Sequence, residues 1–538
     1  MARFRQRIPV RLRQNWRLVA ACAAFLAVCV GVFGGDMIRP YVITTGSTSA
    51  RVVTQDLTGT KDLFDASVPH DVKITFRDEA YQDMLTEYFK DGDKKYLEAD
   101  LTIDGTTVRG VGVRLKGNST LMGLTWKGKT RSSGAFPGGG PPGGFRPPAG
   151  MPQPPGQGQG RQEGAGGRPP GGMPGAAMKA EEPEKLPWLI SFDEFVEGRR
   201  YQGRTQLAVR PAAMGSTTLL NEALAIAVVG AAGEPTQRAA YGSFTVNGRA
   251  SAPRLLVEYL DEGYAEELGD GVLYKSLASS TFTYKGEDQT SYTTDFKQVN
   301  KIGGRDLQPV IDLVRWVEKS SDAEFAAGLA DRVEVRSFAR YLALQNLLIN
   351  FDDMSGPGRN YYLWYDLGSK KFTVVTWDLN FAFNGDAKAG VNDTIGMAFG
   401  RGGPQRPQGA QQQGAQPQGR PQGPGQQAMP PGGPSGQGGP GGAAGPGGAG
   451  GPRMGHALKE RFLKTPAFKA LYQEQYRDLY QRILAGGTAA KLLDGLVRSY
   501  KLNDRADAAK ADAEAAALRA TLKTRTEALA ADKAISGR

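Results

Sequence analysis

Five polar side chains in one stretch include the residue types that a phosphoryl-transfer site needs. Asp352 and Asp353 are adjacent, Asn360 follows shortly after them, and Asp378 and Asn380 stand further along the same stretch. A carboxylate can accept the proton of an attacking hydroxyl group, while a carboxylate and an amide oxygen can hold Mg²⁺. The residue types therefore indicate phosphoryl transfer, with one acid as the base and another as a metal ligand.

The elements predicted around these side chains would bring them together. An apolar helical run over residues 335–349 ends just before the two adjacent aspartates, and a loop with two glycines and a proline follows them. Two strand-like runs come next, residues 360–365 and 371–377, joined by a Gly368-Ser369 turn. One acid thus lies past a helix, and another ends a hairpin.

Each candidate also has a structural interpretation. Asp352 could be an ordinary turn residue, because aspartate is common in turns. Asp378 directly follows an apolar run, so its carboxylate needs a partner, which is either a metal or an arginine. Asn360 and Asn380 could each supply the amide ligand, or could only cap a strand or a loop. Asp353 is the neighbour that could be confused with the base.

The run from Asn350 through Asp352 and Asn360 to Asp378 and Asn380 resembles the CotH kinase family, atypical protein kinases first known from spore coats. Upstream blocks resemble the same family in the same order, at residues 113–119, 192–195, 220–224 and 271–275. The resemblance implies a divergent two-lobed protein-kinase-like fold. It also implies ATP and Mg²⁺ as cofactors and Ser or Thr hydroxyl groups of a protein as acceptors.

This resemblance assigns roles to further residues. Arg114 and Lys116, in the basic segment before Gly-Asn-Ser, and Asn118 within that motif would contact the nucleotide. Glu222 would pair with a phosphate-binding lysine, for which Lys275 and Lys116 are the options. It makes Asp352 the base and Asp378, Asn360 and Asn380 the metal ligands. From the residues alone, the basic pair could instead line a solvated strand face, and Glu222 could be an exposed helix acid.

One departure from the family pattern leaves the activity open. Family members often carry basic residues in the strand that here spans residues 188–192, and this strand has none. The alternative function is therefore a catalytically weak or inactive kinase-like protein that binds or assembles components of the cell envelope or spore coat. Scarcity of ATP outside a membrane favours this alternative, whereas the retained acids and amides favour a kinase.

The N-terminal sequence predicts a membrane segment. Residues 1–17 hold six arginines and no acid, and residues 18–35 carry no charge. We expect a transmembrane anchor or signal over residues 18–38, with an anchor favoured, a cytoplasmic N-terminus and the rest of the chain outside the cytoplasm. The arginines supply much of the net charge of +11, so the remainder gives no indication of a nucleic-acid partner.

Composition and turn signals predict an α+β chain, sheet-rich in its first half and helical in its second. Hairpins are expected at Asp104-Gly105 and Asn247-Gly248, and a helix over residues 217–230 with Ser216 as its N-cap. The expected boundaries are a linker 39–64, a kinase-like domain 65–505, disordered Pro/Gly-rich inserts 132–183 and 400–454, and an Ala/Lys/Glu-rich helix 506–538.

The two histidines add no chemistry to this prediction. His70 and His456 are far apart in the sequence and lie in no motif. A histidine-metal site and a Ser-His-Asp triad are therefore excluded. Both histidines are expected to be surface or local structural residues.

Overall fold

The computed structural model describes residues 52–131 except 118, residues 178–212, 216–300, 302, 306–396 and 455–537, together with residues 20, 24 and 25. The chain divides into two compact units, Met1–Ala50 and Arg51–Arg538. Among the described residues, no helix is both long enough and apolar enough to cross a membrane. Three predictions fall on residues outside this description. They concern the insert over 400–454, the candidate Asn118 and all but three residues of the membrane segment over 18–38.

The second unit contains strands and helices throughout its described length. The strands are β1 Gln55–Leu57, β2 His70–Thr75, β3 Leu97–Ile103, β4 Thr106–Leu115, β5 Leu124–Trp126, β6 Lys129–Thr130, β7 Met178–Lys179, β8 Trp188–Ser191, β9 Arg199–Tyr201, β10 Gln206–Arg210, β11 Ala239–Val246, β12 Ala252–Glu258, β13 Gly271–Ser276, β14 Phe296–Gln298, β15 Tyr361–Asp366 and β16 Phe372–Thr376. The helices are α1 Asp78–Asp91, α2 Leu220–Ala232, α3 Glu262–Leu268, α4 Gln308–Lys319, α5 Asp322–Gly328, α6 Val335–Leu347, α7 Ala457–Lys464, α8 Pro466–Leu479, α9 Thr488–Lys501, α10 Ala508–Ala530 and α11 Lys533–Ser536.

Strands of the first half close into a barrel in the order β10-β12-β11-β2-β3-β4-β8. Both predicted hairpins are confirmed, and both turn residues of each have positive φ: 48° and 85° at Asp104-Gly105, and 48° and 69° at Asn247-Gly248. Such values match the twist of two-residue hairpins, which is why Asn-Gly and Asp-Gly favour them. Alternating buried and exposed positions along β3 direct one face into the barrel core.

The second half combines helices with a four-stranded sheet of order β14-β13-β15-β16. The predicted hairpin after the acidic loop is confirmed as β15 and β16, which pair antiparallel from Tyr361↔Thr376 to Tyr365↔Phe372. One apolar core joins α2 to the helices of this half, including α4, α6, α8, α9 and α10. The α+β class predicted from the sequence is therefore confirmed.

Two local predictions were wrong. Helix α2 begins at Leu220 rather than at residue 217, and Ser216 is not its N-cap; Leu219 holds that position with φ 57°. The predicted first insert extends too far, because Met178–Lys179 forms β7 beside β5, with Met178 buried. Of the two roles predicted for the histidines, surface or local structural, the second fits, since His70 and His456 are both buried.

The boundary of the first insert gives a test by deletion. Removing residues 134–176 is expected to leave the melting temperature nearly unchanged, because their composition offers little apolar surface to bury. Extending the deletion to residue 182 removes buried Met178 and Ala180 and is expected to cost on the order of 2–4 kcal/mol in the free energy of unfolding. Thermal unfolding of both variants measures the difference. Equal stability of the two would show that β7 contributes nothing.

Candidate active site

An arginine that the sequence did not single out joins the two halves of the candidate site. Arg210 is the last residue of β10, and its Nε lies 2.9 Å from Glu222 Oε1 and 3.0 Å from Oε2 in α2. Its Nη2 donates a hydrogen bond of 2.5 Å to Asp378 Oδ1, just beyond β16. Strand β10 of the barrel, helix α2 and the β15–β16 hairpin thus meet at one guanidinium group.

The buried Glu222 carboxylate needs the Arg210 guanidinium beside it. Glu222 is 0% exposed, so an unpaired charge there would be very costly, and Arg210 supplies the counter-charge. Burial raises the pKa of Glu222, and Arg210 opposes that rise. At Asp378, burial also acts to raise the pKa, but Arg210 and Lys116 outweigh it and hold the pKa below its usual value. Asp378 is therefore ionised at neutral pH. Glu222 pairs with an arginine, where a lysine was expected.

The residues around Asp378 fit a magnesium site of the kind that leaves most ligand positions to water and phosphate. Asp378 has φ 52°, a left-handed conformation that is uncommon for a residue with a side chain, and it is 26% exposed. Two residues on, Asn380 Oδ1 is buried and accepts no hydrogen bond from the described residues. The described part of the chain holds no cluster of three or more His, Cys, Asp or Glu side chains arranged to bind a metal ion. One carboxylate and one orphaned amide oxygen suit Mg²⁺ better than Zn²⁺.

Asp352 lies in the loop after α6 and is 5% exposed. Its Oδ1 accepts a hydrogen bond of 2.6 Å from Gly358 N, and its Oδ2 accepts one of 2.9 Å from Asn360 Nδ2. Burial, together with the charges of Asp378 and Asp353, raises the pKa of Asp352 to about 6 despite these two donors. The two hydrogen bonds fix the orientation of this carboxylate, and its pKa lets it take up a proton near neutral pH.

The two loop glycines are required for packing around this carboxylate. A Cβ on Gly358 would lie 2.6 Å from Asp352 Oδ2, and one on Gly356 would lie 2.5 Å from Asp352 Cα. A side chain at either position would therefore displace Asp352. The adjacent Asp353 has a different role, because it forms an ion pair with Lys459 and accepts a hydrogen bond of 2.7 Å from Ser355 N.

Two lysines face an aromatic wall close to Asp378. Lys275 Nζ lies 5.5, 5.5 and 5.3 Å from the ring centroids of Tyr259, Tyr362 and Trp377, and Lys116 Nζ lies 5.3 Å from the Trp377 centroid. Burial lowers the pKa of Lys116 to about 7, with repulsion from Arg210 adding to the effect. Neither lysine forms an ion pair with another described residue. The charge of Lys116 also favours the ionised form of Asp378, and together the two lysines leave this surface able to attract an anion.

Beside Lys275 lies an open cleft of about 450 Å³. Its walls include Arg114, Tyr96 and the linker that leads from β12 into α3, with Tyr259 and Asp261. Arg114 packs over the ring of Tyr96 at 5.0 Å and lies in this cleft, whereas Lys116 lies closer to Asp378. The structure therefore places the predicted basic residues along a path from the cleft to the acids.

Contacts connect most of the candidate residues. Asp378 is connected with Glu222 through Arg210, and with Lys116 and Lys275 through the ring of Trp377, the residue before it. Asp352 is hydrogen-bonded to Asn360, and the charge of Asp378 raises its pKa. Asn380 follows Asp378 with its backbone oxygen bound 2.9 Å from Asn221 Nδ2. Arg210 was missed because it belongs to no motif. Its position at the end of the strand before the Glu222 helix was the one feature that could have indicated it.

A family model described as CotH kinase protein matches residues 171–501. The matched region includes Arg210, Glu222, Asp352 and Asp378, whereas Arg114 and Lys116 precede it. No curated protein matches the chain. Because the family match spans more than half of the 538 residues, the chain belongs to the CotH kinase protein family.

Proposed function

We propose that the protein is a phosphotransferase that moves the γ-phosphoryl group of ATP to a Ser or Thr hydroxyl group of another protein. The observation that carries the proposal is Asp352, a buried carboxylate with both oxygens hydrogen-bonded and a pKa raised to about 6, near the Arg210–Asp378 pair. Membership of the family supports a kinase-like protein.

In this proposal, each group of the site has one task. Asp352 accepts the proton of the acceptor hydroxyl as that oxygen attacks the γ-phosphorus, while the bond from this phosphorus to the β,γ-bridging oxygen breaks and ADP leaves. Asp378 and Asn380, with Asn360 as the other amide available, would hold Mg²⁺, which when bound neutralises charge on the phosphate oxygens. Lys116 and Lys275 bind the phosphates, and Glu222 keeps the Arg210 guanidinium in place.

The cleft next to Lys275 is proposed to take the base and ribose of the nucleotide. It is continuous with the lysines through Lys275 itself and is lined by Tyr259 and Tyr362. The rings of Tyr96, Tyr259 and Tyr362 suit stacking against a nucleobase, while Arg114 adds a cation at the side. ATP would then lie from this cleft to Asp378, with its γ-phosphate toward Asp352.

One observation favours the alternative function, a kinase-like protein that binds without turnover. The Asp378 carboxylate is already neutralised by Arg210, so Mg²⁺ must compete with a hydrogen-bonded guanidinium group. Incubating the full chain with γ-labelled ATP, a divalent metal and a mixture of cell-envelope proteins separates the two functions. Label on protein hydroxyl groups supports the phosphotransferase. A folded chain that binds ATP and labels nothing, itself included, supports the alternative.

The pH dependence of transfer should report the base. Because Asp352 acts only when ionised and its pKa is about 6, kcat/KM is expected to rise about tenfold per pH unit below that value and to level off above it. The initial rate at low ATP concentration, measured from pH 5 to pH 8 at constant ionic strength, gives this profile. A flat profile in this range would remove Asp352 from the chemical step.

For the location, we propose a single membrane anchor over residues 18–38 with the kinase-like domain outside the cytoplasm. The support is the arginine cluster that precedes an uncharged segment. Protease added to intact cells should therefore degrade the C-terminal region. If that region is protected until the cells are lysed, the orientation is the reverse.

A further inference from the structure

The helix that carries Glu222 begins without a cap of its own. Leu219 occupies the N-cap position of α2 in the left-handed conformation and offers no side-chain acceptor to the first N–H groups. The Ser216 hydroxyl accepts a hydrogen bond of 2.8 Å from Leu219 N just before the helix. Helix starts need such external acceptors, because their first N–H groups have no partner inside the helix.

The acceptor for this turn comes from the far end of the chain. Glu514, in α10, accepts hydrogen bonds from Ser216 Oγ at 2.7 Å, from Thr217 N at 2.8 Å and from Thr217 Oγ1 at 2.6 Å. The same carboxylate accepts from Thr218 N at 3.3 Å and from Thr218 Oγ1 at 2.5 Å. Burial acts to raise the pKa of Glu514, but these donors outweigh it and lower the pKa, so the side chain is ionised.

The turn lies between two residues of the candidate site. Arg210 ends the strand before it, and Glu222 lies in the first turn of the helix after it. The depth at which α2 starts therefore sets where the Glu222 carboxylate meets the Arg210 guanidinium, and through it Asp378. The carboxylate of Glu514 fixes that start from outside.

We propose that Glu514 is a positioning residue that sets the Arg210–Glu222 pair for phosphoryl transfer, an inference that rests on the proposed function. Glu514 acts through the hydroxyl turn at residues 216–218 and touches no reacting group. It lies beyond residue 501, where the family match ends, so this contact is supplied by the chain's own C-terminal helix.

A second contact of the same helix supports this role independently. Arg525, buried in α10, donates hydrogen bonds from Nη2 to Asn346 O at 3.0 Å and to Asn346 Oδ1 at 2.6 Å. Asn346 belongs to α6, which leads into the Asp352 loop. Helix α10 thus contacts the segments that precede both Glu222 and Asp352. Glu514 binds the turn before α2, and Arg525 binds the helix before the Asp352 loop.

The test compares substitutions in one helix of the full-length protein. Glu514→Ala is expected to lower kcat on the order of 10- to 100-fold, because small misplacements of catalytic groups have effects of this size. Asp507→Ala removes the N-cap of the same helix and Asp512→Ala removes an exposed ion pair with Lys501, and neither residue contacts the turn. Both controls are expected to keep kcat within about twofold at a temperature well below unfolding. Glu514→Gln, which keeps one acceptor oxygen, should fall between Glu514→Ala and the wild type.

Two results would overturn the proposal. One is an equal loss of kcat in Glu514→Ala and Asp507→Ala once their melting temperatures are matched, which would mean that Glu514 only stabilises the helix. The other is unchanged amide hydrogen exchange at residues 217–224 in Glu514→Ala. Exchange at these amides should become faster in Glu514→Ala and stay unchanged in Asp507→Ala. This measurement needs no activity, so it separates failure of the positioning role from failure of the proposed function, which an inactive wild type would show.

Discussion

Asp352→Ala is expected to reduce phosphoryl transfer by about 10²- to 10⁴-fold, the usual contribution of a positioned general base. ATP binding should change little, because the residues proposed to contact the nucleotide lie at Lys116, Lys275 and the neighbouring cleft. Single-turnover transfer of label gives the chemical rate, and calorimetry with Mg²⁺ and ATP gives the affinity. A variant that keeps most of the wild-type rate would show that another group takes the proton.

The neighbouring acid provides a matched control for this variant. Asp353 is as deeply buried as Asp352 and stands one residue away, but it pairs with Lys459 and Ser355 N. Asp353→Ala is expected to lower the melting temperature and to keep the transfer rate within about tenfold of the wild type. A larger loss in Asp353→Ala than in Asp352→Ala would exchange their assignments.

Asp378→Asn is expected to weaken Mg²⁺-dependent ATP binding by about 100-fold or more, since the amide lacks the charge that offsets dehydration of the ion. The change also removes a carboxylate from Arg210, which keeps Glu222 as its partner. Titrations with ATP in the presence and absence of Mg²⁺ isolate the metal-dependent part of the affinity. If that part is the same in the variant and the wild type, Asp378 does not hold the metal.

The matched control for the metal ligand is an acid in the same segment that lies outside the site. Asp386 accepts a hydrogen bond of 2.9 Å from Lys388 N in a turn after Asn380. Asp386→Asn removes one negative charge from the same region and is expected to leave the Mg²⁺-dependent affinity within about twofold of the wild type. A loss equal to that in Asp378→Asn would indicate a general effect of charge.

Local chemistry explains which parts of the fold were predictable. Asp104-Gly105 and Asn247-Gly248 specify turns through their own backbone preferences, so these two hairpins could be predicted from adjacent residues. The turn between β15 and β16 instead has its left-handed residue at Lys370, with φ 61°. Closure of the barrel depends on β10 pairing with both β8 and β12, and no adjacent residues encode these pairings. The α+β class was therefore within reach of the sequence, and the barrel was not.

The same distinction applies to the candidate site. Asp352, Asn360 and Asp378 belong to one continuous loop and hairpin, so their order in the sequence already indicated a common site. Arg210 binds Asp378 across 168 residues, and the partner of Glu222 depends on how the barrel meets α2. A contact of this kind leaves no periodicity or spacing in the sequence. This is why Glu222 was assigned a lysine partner and why an exposed position was left open for it.

The guanidinium group between Glu222 and Asp378 also affects whether folding depends on metal binding. Sites whose acids repel one another without an ion often fold only when the ion binds. Here Arg210 balances the acids from within the chain, so the domain can fold before any cofactor arrives. Folding and metal binding are then separate events. By reciprocity, a change that strengthens the interaction of Arg210 with Asp378 must lower the affinity of that carboxylate for the ion by the same factor.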